Sequence, residues 1–218
     1  MFFPALCLDN FFNDPQEVVK IAKNVEYQKV NKIPGYRSKP IHEIDNNFFR
    51  AITLKMLSVY FPNSYRDINY SAYSVFQKTS SGTIDGWVHY DNSFFTSIIY
   101  LTDSDVGTSI YHQKNIGYIE NLVGGKFDYF ENYENYDSNE LEKIKTSRDS
   151  VNSNFDETIN FKGRYNRCVQ FDGRNYHAAH QQDEVIEGEE RLILITFFNG
   201  LIQNRNTNTF PTVAYPWI

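Results

Sequence analysis

The chain has 218 residues, of which 41% are hydrophobic and 17% aromatic, enough to bury the core of one large domain. This composition excludes extended disorder, and a net charge of −6 without a lysine- or arginine-rich run argues against a nucleic-acid partner. No stretch approaches the ~20 apolar residues of a membrane span. The two cysteines are too few for a disulfide scaffold, and the first residues lack the basic region of a signal peptide. We therefore expect a soluble protein with no membrane partner, located in the cytoplasm of a cell or, for a viral protein, of its host.

Residues 1–65 are predicted to form an N-terminal helical part. A short strand is expected around residues 5–8. Asp14-Pro15-Gln16-Glu17 then has the features of a helix start, namely a side-chain acceptor, a proline in the first turn and a glutamate three residues after the cap. Residues 29–41 are rich in turn formers, and apolar residues near helical spacing predict a second helix from about Glu43 to Tyr60.

From residue 66 to residue 200 the sequence is typical of a β-domain. Short β-branched and aromatic runs alternate with Gly, Asn and Asp, as in sandwiches and barrels. These runs predict strands at 68–77, 86–90, 94–101, 108–112, 167–171 and 191–198. We therefore predict an α+β, mainly β fold: a jelly roll with N-terminal helices packed on one sheet. It would form one domain over residues 1–218, with a C-terminal tail at 201–218.

A polar stretch at about 114–163 interrupts the β pattern. It is rich in Asn, Asp, Glu and Tyr, and Asp137 with Glu140 predicts a capped helix over 141–146. Two interpretations stay open, an insertion that covers one end of the β-domain and a solvated loop without a functional role. In the first case the insertion would form a lid or a peptide groove.

The stretch Trp87-Val88-His89-Tyr90-Asp91 carries the most informative pattern. Side chains two positions apart on a strand point to the same side, so His89 and Asp91 are expected next to each other. An imidazole and a carboxylate in this arrangement can supply two corners of a 2-His-1-carboxylate site, which holds Fe(II) with one face open. The spacing alone is a weak signal, and a hydrogen-bonded surface pair is the alternative.

Two later residues extend this pattern. His177 follows a predicted strand and turn, with His180 as a competitor for the same role. Arg191 opens an apolar strand, where a buried guanidinium needs a partner. A small dicarboxylate is a suitable one, because the guanidinium fork matches a carboxylate with two hydrogen bonds. The alternative for Arg191 is an exposed strand end paired with Glu189 or Glu190.

With these residues in order, the sequence resembles the Fe(II)/2-oxoglutarate-dependent dioxygenases, in particular their prolyl-hydroxylase-like branch with phage and bacterial members. The matching stretches lie within residues 68–200 and are 87–92, 98–102, 107–111, 166–177 and 191–198. The order of these stretches is more specific than any one of them. The resemblance implies a double-stranded β-helix, which is a form of jelly roll.

The resemblance also implies roles for individual residues. The iron ligands would be His89, Asp91 and His177. Arg191 would bind the distal carboxylate of 2-oxoglutarate. Tyr100 stands where relatives have a tyrosine that contacts the same carboxylate, although a tyrosine in an apolar run is also typical of a core. Tyr73 is a candidate, from its strand position, for the inner carboxylate, and ascorbate is a further candidate cofactor.

The activity implied is hydroxylation of a C–H bond, with O2 and 2-oxoglutarate consumed and succinate and CO2 released. The substrate would be a small molecule or a peptide, most simply a prolyl or other amino-acid side chain in a peptide, or a free amino acid. The carboxylate of Asp91 favours hydroxylation, because halogenating relatives have glycine or alanine at that place. The oligomeric state is not predicted.

Three other interpretations fit parts of the pattern. A nucleobase-repair dioxygenase would have a second arginine six positions after the first, where this chain has Phe197. A cupin would usually have a glutamate and a different histidine spacing. A non-catalytic jelly-roll module for binding or structure needs no metal and stays open. The residues interpreted as structural or exposed are Trp87, His42 and His112, and those interpreted as buried thiols are Cys7 and Cys168.

Overall fold

The computed structural model describes residues 3–30, 33, 35–79, 86–104, 106–114, 137–181 and 190–203. In these residues the chain is mainly β, with ten strands, four α-helices and one short 3₁₀ helix at Tyr65–Asp67. The helices are α1 (Pro15–Lys23), α2 (Ile41–Ile44), α3 (Asn46–Tyr60) and α4 (Ser138–Asn152). The strands are β1 (Leu6–Leu8), β2 (Tyr27–Lys29), β3 (Tyr36–Ser38), β4 (Ile68–Thr79), β5 (Phe95–Tyr100), β6 (Val106–Gln113), β7 (Phe155–Phe161), β8 (Cys168–Asp172), β9 (Tyr176–Gln181) and β10 (Arg191–Gln203).

The strands form two antiparallel sheets. The larger sheet has the order β1-β8-β5-β10-β4-β3-β2, and the smaller one has the order β7-β6-β9. The strand predicted around residues 5–8 is confirmed as β1, and five of the six predicted in the β-domain are confirmed as β4, β5, β6, β8 and β10. The sixth, at 86–90, is reduced to a single bridge between His89 and His177, with one further backbone hydrogen bond from the N–H of Gly86 to the carbonyl of Ala179.

The larger sheet lies between the N-terminal helices α1 to α3 and the smaller sheet, and alternate residues of its central strand β10 face the two sides. Leu192 and Leu194 belong to a buried cluster that includes Met56 of α3. Ile193 and Ile195 belong to a second cluster that includes Ile110 of the smaller sheet. Each such side chain contributes about 1.5–3 kcal/mol when it is fully buried. The predicted packing of N-terminal helices on one sheet is confirmed.

The N-terminal part differs from the prediction in three places, one of which is the unpredicted strand β2 at Tyr27–Lys29. The helix predicted from Glu43 to Tyr60 is divided at Asp45, whose side chain accepts the backbone N–H groups of Asn47 and Phe48, both at 2.9 Å. This cap starts a new helix and so ends the previous one. The turn-rich stretch 29–41 contains β3, which continues the larger sheet beyond β4. A strand of three residues is too short to show an alternating pattern.

The polar stretch contains more structure than the predicted helix. Asp137 and Glu140 form the expected capping box, and α4 continues beyond the predicted end to Asn152. The next segment is β7, which pairs with β6 at the edge of the smaller sheet and was missed by the sequence interpretation. Residues 115–136, which include most of the tyrosine-rich part of the proposed lid, lie outside the described residues.

Three smaller expectations have clear outcomes. Cys168 is buried as expected, but Cys7 is exposed, because it points outward from the edge strand β1. Trp87 is buried. The predicted tail at 201–218 is wrong for its first residues, since β10 runs to Gln203, and residues 204–218 lie outside the described ones. Among the helices that the structure describes, none has the length and apolar character needed to cross a bilayer.

Candidate metal centre

The backbone places His89 and His177 directly opposite each other. The N–H of His89 donates to the carbonyl of His177 at 3.0 Å, and the N–H of His177 donates to the carbonyl of His89 at 2.8 Å. Residues paired in this way project their side chains to the same face of a sheet. The two imidazole centroids are accordingly 4.4 Å apart. The smaller sheet thus brings together two histidines that are far apart in the sequence.

Each imidazole is oriented by a nearby backbone carbonyl. The Nδ1 of His89 is 2.8 Å from the oxygen of Trp87, and the Nδ1 of His177 is 2.8 Å from the oxygen of Asn175. Because a carbonyl can only accept, each Nδ1 carries the proton and leaves Nε2 as the ligand atom. Burial, with a contribution from His177, lowers the pKa of His89 to about 4, so that its ring is neutral at neutral pH.

The carboxylate of Asp91 lies between the two Nε2 atoms. Its Oδ2 is 3.4 Å from Nε2 of His177, and its Oδ1 is 4.0 Å from Nε2 of His89. The hydroxyl of Thr96 donates to Oδ2 at 3.0 Å. Burial raises the pKa of Asp91, but the two imidazoles and Thr96 lower it by more, and the net shift is downward. The carboxylate is therefore ionised at neutral pH.

A close backbone approach fixes the position of Asp91. Its N–H donates to the carbonyl of Gly173 at 2.7 Å, in the turn between β8 and β9. A Cβ atom on Gly173 would lie 2.1 Å from Oγ and 2.5 Å from the carbonyl oxygen of Ser93, so a side chain cannot be accommodated without displacing that backbone. Glycine is needed here because another backbone segment approaches closely.

The three side chains form a compact donor set. One ligand atom from each of His89, Asp91 and His177 lies within 4.8 Å of the other two. Two imidazole nitrogens and one carboxylate oxygen are the donors of a facial triad for Fe(II). The competing His180 is not part of this group. Its Nε2 is 3.9 Å from Glu157 of β7, and its position three residues after His177 places it on the opposite face of the strand.

A second polar group lies inside the space between the two sheets. Arg191 is 7% exposed, and its Cζ is 5.6 Å from the ring centroid of Tyr100, which is fully buried. The hydroxyls of Tyr100 and Thr108 are 2.8 Å apart. Burial raises the pKa of Tyr100, although Arg191 and Thr108 oppose the shift, so its hydroxyl stays protonated at neutral pH. One guanidinium and two hydroxyls can together bind a carboxylate.

The sequence left open an ion pair of Arg191 with Glu189 or Glu190, and the structure describes only Glu190. Glu190 forms an ion pair with Lys78, with Oε2 and Nζ 3.3 Å apart. Glu189 lies outside the described residues. The burial of Arg191 also differs from the exposed strand end that this alternative requires.

Tyr73 lies on the inner face of β4, beside a cation that the sequence interpretation missed. Its ring stacks on that of Phe197 at 6.4 Å, in register across β4 and β10. Arg37 of β3 has its Cζ 6.0 Å from the centroid of Phe197. Its Nε donates to the side-chain oxygen of Gln77 at 2.8 Å. The signal for Arg37 was hidden because β3 was interpreted as a turn.

Thr96 and Thr108 were also not assigned from the sequence, although a signal for Thr96 exists. Thr96 alternates with Ile98 and Tyr100 on β5, and the period of two places it on the same face. Thr108 lies within a predicted strand, but its contact with Tyr100 joins two different sheets. A contact of this kind depends on how the sheets pack.

Helix α4 is attached to the segment that leads into His89. The side chain of Asn152 donates to the carbonyl of Gly86 at 3.0 Å and accepts the N–H of Val88 at 2.9 Å. These two bonds replace the backbone hydrogen bonds of a neighbouring strand, because one side-chain amide satisfies both a backbone donor and a backbone acceptor of the segment. The polar stretch therefore supports the candidate metal centre.

Replacing Asn152 by alanine is expected to lower metal affinity by about 10-fold, because outer partners that orient a ligand typically contribute about 10- to 100-fold. The two lost hydrogen bonds should also lower the free energy of unfolding by about 1–2 kcal/mol. The measurements are a Co(II) titration and denaturant unfolding. Asn154→Ala is the control, because within the described part of the chain the side chain of Asn154 donates only to carbonyls of its own helix end, those of Ser150 and Val151. Equal metal affinities in both variants would contradict this role.

A comparison with protein families gives the family of the chain. A model described as a family of unknown function, DUF6445, matches residues 3–190. The chain belongs to the DUF6445 family. No curated protein matches this DUF6445 member.

Several solved structures share the fold of this chain, and two of the three described next contain a metal and 2-oxoglutarate. HygX from Streptomyces hygroscopicus, with nickel, 2-oxoglutarate and hygromycin B bound, has a TM-score of 0.56 at 11% identity, over 89% of this chain and 82% of HygX. The epimerase SnoN of nogalamycin biosynthesis, in complex with Fe3+, alpha ketoglutarate and nogalamycin RO, has a TM-score of 0.52 at 10% identity, over 89% and 78%. A prolyl hydroxylase from Trichoplax adhaerens, in complex with a hypoxia inducible factor peptide fragment, has a TM-score of 0.51 at 12% identity, over 89% and 82%.

These identities show a shared fold and no more. The DUF6445 protein has the fold of 2-oxoglutarate-dependent oxygenases, as the resemblance in sequence implied. The TM-scores for an epimerase and for a prolyl hydroxylase are nearly equal, at 0.52 and 0.51, so the fold does not single out the prolyl-hydroxylase-like branch.

Proposed function

We propose that this DUF6445 protein is an Fe(II)- and 2-oxoglutarate-dependent oxygenase that hydroxylates a C–H bond. The observation that carries the proposal is the convergence of His89, Asp91 and His177, with one ligand atom of each within 4.8 Å of the others. The orientation of both rings through Nδ1 supports it further, because it leaves both Nε2 atoms available to one cation.

We further infer that the two sheets form a double-stranded β-helix. Along the chain, β4, β5, β8 and β10 lie in the larger sheet, and β6, β7 and β9 lie in the smaller one. The bridge of His89 to His177 adds the segment before β5 to the smaller sheet. With this segment counted, and apart from β6 and β7, which are neighbours in the smaller sheet, successive strands from β4 to β10 therefore cross between the sheets, which is the connectivity that a jelly roll requires. That residues 1–218 form a single domain stays a prediction.

The residues at the candidate centre fit the metal and the co-substrate. His89, His177 and the ionised Asp91 would hold Fe(II), which supplies the oxygen activation that side chains cannot perform. Arg191, with the hydroxyls of Tyr100 and Thr108, would bind the distal carboxylate of 2-oxoglutarate. The buried apolar side chains around them keep bulk water away, and they include Ile98, Val169, Phe171, Ile193 and Ile195.

The substrate we propose is a prolyl or other amino-acid side chain in a peptide, or a free amino acid. Proteins of this fold carry small-molecule and peptide substrates, as hygromycin B on HygX and the peptide on the Trichoplax enzyme illustrate. Their reactions also differ, since SnoN is an epimerase and SnoK a carbocyclase. We favour hydroxylation because Asp91 provides the carboxylate that halogenating relatives lack.

The test has two stages. Anaerobic addition of Fe(II) and 2-oxoglutarate to the purified protein should give a weak visible charge-transfer band, which Asp91→Ala should lack. Peptides and free amino acids are then screened by mass spectrometry for a gain of one oxygen coupled to succinate formation. If wild-type protein gives no band where a prolyl hydroxylase gives one under the same conditions, the non-catalytic binding module becomes the better interpretation.

A further inference from the structure

Arg37 enters the space between the sheets from the side of β3. It pairs in register with Gln77 of β4, and its Nε donates to the Gln77 side chain at 2.8 Å. Its guanidinium lies over the ring of Phe197, with 6.0 Å from Cζ to the centroid. Phe197 in turn stacks on Tyr73. A cation and two aromatic rings thus form one layer on the inner face of the larger sheet.

This layer is close to the candidate metal centre. Burial lowers the pKa of Arg37, and the groups that oppose the shift are Tyr73 and Asp91. Phe197 is in register with Thr96 of β5, whose hydroxyl donates to Asp91. Register and electrostatics therefore agree that Arg37 faces the same part of the interior as the metal ligands.

The terminal nitrogens of Arg37 have hydrogen-bonding capacity to spare. Within the described ranges, the only hydrogen bond of this guanidinium is the one from Nε to Gln77, and no carboxylate forms an ion pair with it. A guanidinium has five N–H donors in a planar fork. Asp91 acts on this guanidinium only through space, and keeping the guanidinium half-buried without an anion in direct contact is unfavourable, because it has lost part of its hydration.

A count of formal charges at the candidate centre indicates which group could compensate the positive charge of Arg37. One ferrous dication, the Asp91 carboxylate, dianionic 2-oxoglutarate and Arg191 sum to zero. Arg37 then adds one positive charge beside a nearly neutral centre. An anion that arrives with the substrate would cancel this charge and occupy the free edge of the guanidinium.

We propose that Arg37 binds a carboxylate of the substrate, and that the protein therefore acts on a small carboxylic acid, such as a free amino acid, in preference to a residue inside a peptide. This inference rests on the proposed oxygenase function and narrows its substrate class. The rings of Tyr73 and Phe197 would contact the short apolar part of such an acid. The charged fork would set its orientation.

The experiment uses Co(II)-loaded protein with 2-oxoglutarate under anaerobic conditions. Free amino acids and their C-terminal amides are added as matched pairs, and binding is followed by the change in the visible Co(II) spectrum. We expect the acids to bind at least about 10-fold more tightly than the amides. Arg37→Gln should lower the affinity for the acids by about 10- to 100-fold. Arg37→Lys should lower it by less, because lysine keeps the positive charge but lacks the planar fork of the guanidinium.

The controls separate this role from stability and from the co-substrate. Arg50→Gln changes an exposed arginine of α3 and should have no effect on binding. The affinity of Arg37→Gln for 2-oxoglutarate should stay within about 2-fold of wild type, and its thermal midpoint is measured in parallel. If Arg37→Gln fails to fold, two measurements still test the proposal. They are the binding of the acids to Arg37→Lys and the comparison of acids with amides on wild-type protein.

Three outcomes would overturn the proposal. Wild-type protein could bind acids and amides equally or bind none of the acids, or Arg37→Gln could lose 2-oxoglutarate affinity and keep the acids. The last result would assign Arg37 to the inner carboxylate of 2-oxoglutarate. Failure of the oxygenase function itself looks different, because wild-type protein would then give no Fe(II)–2-oxoglutarate band.

Discussion

Asp91→Ala is expected to lower the affinity for Fe(II) or Co(II) by at least about 100-fold and to abolish succinate formation, a loss larger than that of an outer partner. Asp91 supplies the only carboxylate of the donor set, whose other two members are imidazoles. Removing it leaves the cation to two nitrogen ligands. An anaerobic Co(II) titration followed by visible absorption measures the affinity, and a coupled succinate assay measures the turnover.

The matched control for Asp91→Ala is Asp156→Ala. Asp156 is also a carboxylate near an imidazole, with Oδ2 3.7 Å from Nε2 of His112, but both side chains are exposed. This variant should bind metal and form succinate like wild type. His177→Ala should reproduce the effect of Asp91→Ala, while His180→Ala should not. If metal affinity survives in Asp91→Ala and falls in His180→Ala, the centre is wrongly assigned.

Arg191→Ala is expected to raise the dissociation constant for 2-oxoglutarate by about 100-fold while metal affinity is retained. Two charge-assisted hydrogen bonds to a carboxylate at about 1.5–3 kcal/mol each are sufficient for a change of this size. Arg191→Lys should keep part of the affinity, because a lysine ammonium has the charge without the planar fork. The charge-transfer band of the Fe(II)–2-oxoglutarate complex, titrated with 2-oxoglutarate, gives the constant directly.

Because Arg191 is buried, its truncation also leaves a cavity, so a milder variant is needed. Tyr100→Phe keeps the ring and removes only the hydroxyl that lies 2.8 Å from Thr108. This variant should lower the affinity for 2-oxoglutarate by about 10-fold, which is the size of effect expected for the loss of one hydrogen bond to a charged group. If Arg191→Ala and Tyr100→Phe both bind 2-oxoglutarate as tightly as wild type, Arg191 does not bind the distal carboxylate. Arg37 would then be the best candidate for that role.

The part of the fold that was predictable has local signals. The pattern of β4, β5, β8 and β10 is strong because each has one face against the N-terminal helices and one against the smaller sheet. Asp14 and Asp137 predicted helix starts because capping needs only residues a few positions away. Strands β2, β3, β7 and β9 were missed. Three of them, β2, β7 and β9, lie at sheet edges, and β3 has only three residues, so their side chains leave little periodic pattern in the sequence.

The residues of the candidate centre also differ in how far the sequence could predict them. Neighbouring residues were sufficient to place His89 beside Asp91, because the strand repeat of two is a local property. Resemblance to a family added His177, Arg191 and Tyr100 through their order along the chain. Contacts between remote segments had to be seen in three dimensions, since no local rule brings Asn152 to Val88 or Arg37 to Phe197. Such pairs follow from how sheets and helices pack, and packing depends on the whole chain at once.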